Sequence, residues 1–191
     1  MNSINTLKTF VAAFCISICV FSHSSAEDTV LSIVDDVPPG TSEDQIFNQY
    51  TLIGETSFKV MWFSIYDAQL RVSSSEFDWS MPFALTLTYK RDITSKRIVE
   101  SSLKEMTANS DRDPHDFDRY RDTLQKCFPD VSHGDRFTGL SSGDDVTLFF
   151  LNGEERCRAS EAGFKRDFFG IWLGDNTRDD RKSRALRGLD D

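Results

Sequence analysis

Residues 136–160, RFTGLSSGDDVTLFFLNGEERCRAS, read as three short strands joined by tight turns. Asn152-Gly153 is the strongest of the turn signals, because both central residues of a type I′ hairpin need positive φ, and Gly143 marks the turn before it. Strands joined this closely run antiparallel.

The flanking text sets the class. Downstream, FKRDFFGIWLG (164–174) places Phe164, Phe168, Ile171 and Trp172 on one helical stripe after Ser160, and Gly174 ends it. A charged tail closes on a short helical RKSRALRGL. Upstream, Ile98, Val99, Ser102, Leu103 and Met106 recur at helical spacing on a helix reaching about Asn109. A second helix, to about Cys127, is announced by Asp113 as N-cap and Pro114 at the first helical position. Before these, FALTLTYK (83–90) alternates cleanly as a strand. Phe58 to Val72, FKVMWFSIYDAQLRV, reads as another single strand whose second half has one wet face. Its first half is apolar on both faces, which predicts cover on both sides. Strands, two helices, a meander and terminal helices define an α+β domain with helices packed on one face of an antiparallel sheet.

The chain begins with a different signature. One charge, Lys8, precedes the apolar run TFVAAFCISICVF, too short to span a bilayer, and Ser24 and Ala26 occupy the small-residue positions of a cleavage site. Residues 1–26 therefore read as a secretory signal peptide, and the expected location is the periplasm or the extracellular space. Phe14 and Ile18 before Cys15 and Cys19 exclude a lipoprotein signal. Residues 27–44, acidic and broken by Pro38-Pro39-Gly40, read as a loosely held entry segment with a possible strand at 30–34, and 45–191 as the folded domain.

Cleavage removes Lys8 and no acid, so the mature chain is more acidic than the formal −9 of the whole sequence. Such a field argues against nucleic acid and against a peripheral role on anionic membranes, and no later stretch supplies a stable membrane anchor. His115 and His133 lack a second ligand at metal spacing, and there is no phosphate cradle, nucleophile elbow or Cys-His signature. Neither a metal nor a cofactor is expected. Cys127 and Cys157 are the two thiols left after cleavage; an oxidising compartment favours their pairing, and two separate buried thiols are the other reading.

The order and spacing of Gly54 to Arg71 with its SIYDAQLR, YKRDI (89–93) before a helix, FPDVSHGD (128–135), the Asn-Gly hairpin and FKRDFFGIWLG resemble the chalcone isomerase-like family, in its bacterial exported branch. The likeness covers about residues 45 to 189. It implies an open-faced sandwich with a cleft between sheet and helices, where the plant enzymes close a chalcone into a flavanone and non-enzymatic members bind fatty acids. Isomerase chemistry needs a cation for the phenolate and donors at the developing enolate. The enzymes' arginine sits on an early strand just before the glycine that matches Gly54, where this chain reads IFNQYTLIG. Their polar set is also absent around Tyr120, where Thr123 and Cys127 stand.

The expectation is a non-catalytic binder of a fatty acid or other apolar ligand. An envelope structural or interaction protein without a ligand, and an intramolecular lyase on the same cleft, are the alternatives. Candidate head-group cations are Arg71 and Arg91, each near a strand end, since guanidinium grips carboxylate in a bidentate way. Tyr66 and Tyr89 offer a ring with a polar tip, and Trp62 and Trp172 are candidates for the ligand's tail. Each has a plainer reading, as a rim charge or a core aromatic.

Overall fold

A computed structural model describes residues 43–141 and 145–189. The signal-peptide reading of 1–26, nearly all of the 27–44 entry segment, the possible strand at 30–34 and the Gly143 turn lie outside these residues.

Six strands form one antiparallel meander in sequence order: β1 Thr51–Val60, β2 Phe63–Val72, β3 Phe83–Tyr89, β4 Arg136–Ser141, β5 Thr147–Leu151 and β6 Glu154–Ala159. Between them stand α1 Glu43–Phe47, α2 Ser95–Ala108, a 3-10 segment Pro114–Tyr120 running into α3 Arg121–Cys127, then α4 Phe164–Leu173 and α5 Asp180–Leu186. The expected α+β sandwich is the observed fold.

Period-two alternation sends Ala68, Leu70 and Val72 of β2, with Phe83, Leu85, Leu87 and Tyr89 of β3, into one core beneath α2, α3 and α4. Phe164, Phe168, Phe169 and Trp172 of α4 fill it from above. Asn152 and Gly153 have φ of 52° and 90°, as the type I′ reading requires. Asp113 caps its helix by accepting from the His115 amide, and Cys127 and Cys157 form a disulfide that ties α3 to β6.

The opposite sheet face carries a smaller core of Tyr50, Ala84, Leu140, Leu148 and Phe150, with Phe47 of α1 against it. Glu43 and Asp44, read in the sequence as the end of the loose segment, are helical instead. Glu43 is buried because its carboxylate accepts from Thr138 and, at 2.7 Å, from Arg136.

Two other elements differ from the sequence reading. Phe58 to Val72 is not one strand: the chain reverses at Met61-Trp62, Val60 pairs with Phe63, and the residues before it, from Thr51, form β1. The half that is apolar on both faces is consequently a hairpin tip, with Val60, Met61, Trp62 and Phe63 all exposed rather than covered. The helix expected after Asp113 begins as a 3-10 segment and becomes α-helical only at Arg121.

Candidate functional site

Where β1 and β2 diverge from the helix layer, two cavities of about 390 and 130 Å³ open side by side. Ile65, Tyr66, Ser101, Glu105, Ile171 and Trp172 line both, so the two are lobes of one cleft. The larger lobe falls within the roughly 300–1,000 Å³ of small-molecule sites.

Helical spacing on α2 brings Arg97, Ile98, Ser101, Ser102 and Glu105 along one wall. The α4 stripe supplies Ile171 and Trp172 opposite, and β2 and β3 supply Tyr66, Leu87 and Tyr89 as the floor. Phe58, Lys59 and Val60 of β1, with Thr177, Arg178, Asp179 and Lys182 from the start of α5 and the loop before it, surround the larger lobe. Gly54 makes this closure possible, because a Cβ there would lie 2.2 Å from the carbonyl oxygens of Ala185 and Leu186 on α5.

The floor is fixed by one polar contact and several rings. Trp172 donates its indole N–H to the Tyr66 hydroxyl at 2.9 Å, and the Tyr66 ring packs between Phe58 at 5.0 Å and Tyr89 at 5.9 Å. Burial pushes the Tyr66 phenol up to about 12, with the nearby Glu105 carboxylate adding to the effect, and burial raises Tyr89 as well. Both are therefore neutral at physiological pH. Having accepted from Trp172, Tyr66 retains its own O–H to donate.

Charge lines the rim. Glu105 pairs with Arg178 at 2.8 Å, bridging α2 to the loop before α5, and Lys182 stands 4.9 Å over the Phe58 ring while reaching Asp179 at 3.4 Å. Arg97, at the mouth of the smaller lobe, forms no ion pair among the described residues. The cleft thus offers an apolar body, two neutral phenols and a cationic rim, a set suited to an amphiphile with an anionic head.

Of the residues singled out from the sequence, Tyr66, Tyr89 and Trp172 come together here. Arg71 does not. It alternates with Leu70 and Val72, so it lies on the opposite sheet face, beside Ala84, and cannot reach the cleft. Arg91 is exposed just past β3, with its guanidinium 5.4 Å from the ring of Phe63 and outside both lobes. Its neighbour Asp92 accepts from the His133 amide and serves a loop. Trp62 projects from the hairpin tip, 77% exposed, because the reversal at Met61 carries it away from the sheet. Arg97, Lys59, Arg178 and Lys182, the cations that do line the cleft, went unmarked, since exposed basic residues on a helix or strand look like any solvated face.

The sequence matches the chalcone isomerase-like family over residues 47–186. The chain belongs to that family. No curated protein matches it significantly. A solved structure, a fatty-acid binding protein of Arabidopsis thaliana, superposes with a TM-score of 0.60 over 74% of this chain and 88% of its own, at 7% identity. The shared fold is the sheet and helix layer that frame the cleft.

Proposed function

We propose that this chain is an exported, non-catalytic member of its family that holds a fatty acid or comparable amphiphile in the cleft. The carrying observation is the continuity of the two lobes along Tyr66, Ile171 and Trp172, with Arg97, which has no ion pair among the described residues, lining the smaller one. The alkyl tail lies over these side chains, Arg97 takes the carboxylate, and the Tyr66 hydroxyl stands by as a donor. Each buried methylene contributes about 0.8 kcal/mol, so the tail supplies most of the affinity and the head group the specificity.

The fold neighbour described as a fatty-acid binding protein supports this reading. So does the sequence IFNQYTLIG, which lacks the arginine on which the resemblance to the isomerases would place ring closure. Export to the periplasm or beyond rests on residues 1–26 and agrees with the disulfide, which an oxidising compartment preserves.

Native mass spectrometry of protein purified from an exporting host tests the reading. The expected result is an N-terminus at Glu27 and a bound mass that organic solvent releases as fatty acid. A chain free of small molecules that also takes up no added oleate leaves the ligand-free structural reading. Catalysed chalcone cyclisation lost on Arg97→Ala would establish the isomerase instead.

A further inference from the structure

The β1–β2 hairpin projects past the rest of the sheet. Tyr66 is the last β2 residue in the ladder with β3, the Ile65 carbonyl still accepts from the Lys90 amide at 2.9 Å, and beyond it Phe63 and Ser64 pair with β1 alone. The tip displays Val60, Met61, Trp62 and Phe63 at 62, 72, 77 and 55% exposure. Met61 turns the chain at φ 56°, a left-handed conformation that side chains rarely adopt. Around this knob the charges are basic: Lys59 adjoins it, Arg91 lies against Phe63, and no acid occurs between Glu55 and Asp67. Asp67 itself is held by Lys90 at 2.6 Å.

We infer that this tip is an interfacial contact site for a lipid bilayer, reversible and favoured by anionic phospholipid. Four residues on a convex turn fall far short of the roughly 20 a side of a stable protein interface, whereas a fluid interface accepts a protruding wedge. Trp and Phe at the tip with Lys and Arg behind them match the aromatic and cationic layers of a membrane surface. The overall acidity, which read in the sequence as an argument against anionic membranes, is screened beyond about 8 Å at physiological ionic strength, and Lys59 and Arg91 are the charges that adjoin the tip. Phe58, Lys59 and Val60 also line the larger lobe of the cleft, so the wedge would set the cleft's mouth against the lipid. The inference stands independently of what the cleft holds.

The test is flotation of the exported chain with vesicles of phosphatidylcholine, with and without phosphatidylglycerol. The comparison is Trp62→Ser/Phe63→Ser with the same N-terminus. The wild type should float, more so with phosphatidylglycerol; the double variant should partition at least tenfold less at an unchanged urea midpoint. Lys59→Gln/Arg91→Gln should remove only the phosphatidylglycerol increment. Quenching by brominated acyl chains, present in the wild type and lost in the conservative Trp62→Phe, reports insertion without disturbing the turn. Equal flotation of wild type and double variant, or no flotation on either vesicle, overturns the inference. So does a dimer in sedimentation velocity that the double variant abolishes, which would give the tip to a second copy of the chain.

Discussion

Trp172 donates to the hydroxyl of Tyr66 across the cleft floor at 2.9 Å, joining α4 to β2 where the two lobes meet. Both groups are largely withdrawn from water, so Tyr66→Phe leaves a buried indole N–H without its acceptor. The expected loss is about 1–3 kcal/mol in urea unfolding. An unchanged midpoint would mean that water reaches the indole freely.

Gly54 is a matter of space. Its Cα faces the last turn of α5, and Gly54→Ala forces a methyl against two backbone carbonyls that cannot rotate aside. Overpacking of this kind costs about 1–3 kcal/mol or more. The damage should appear locally, as faster amide exchange across 180–186, and a uniform change over the whole sheet would speak against the contact.

The disulfide closes a loop of 30 residues that includes β4, β5 and the Asn152-Gly153 turn. On the chain-entropy account a loop of this length stabilises the fold by about 3–4 kcal/mol. Cys127→Ser/Cys157→Ser should lower stability by that order at equilibrium in denaturant. Free thiols in a non-reducing peptide map of the native protein would contradict the bridge.

Burial raises all four tyrosines of the chain, Tyr50 and Tyr66 to about 12 and Tyr89 and Tyr120 in the same direction. A phenol with a raised folded pKa stays protonated after the unfolded chain has begun to ionise at about 10. Stability is therefore full below about pH 10 and falls as pH rises toward 12. Phenolate absorbance should stay flat through pH 10 and appear together with unfolding, and ordinary titration at constant circular dichroism would refute the burial.

The sequence carried the layer order because its signals were local. Asn152-Gly153, the Asp113-Pro114 cap and the α4 stripe each answer to backbone or packing rules that act within a few residues. The hairpin at Met61 escaped, since its turn contains no Gly, Asn, Asp or Pro and the apolar run continues through it. Arg71 was legible in principle, for Ala68, Leu70 and Val72 set the parity that puts it on the other face. Arg97 was not, because its value comes from the cleft that β1, α4 and α5 assemble around it.

The central claim is the amphiphile in the cleft, and fatty acid titration followed by Trp172 emission tests it most directly. Chains from about eight to about eighteen carbons should bind with Kd falling about fourfold per methylene until the lobes are full. Arg97→Ala should weaken binding by about tenfold, the loss expected of one charge-assisted contact, and Arg71→Ala should leave it unchanged. No saturable binding at any length, or a loss with Arg71→Ala equal to that with Arg97→Ala, would contradict the account.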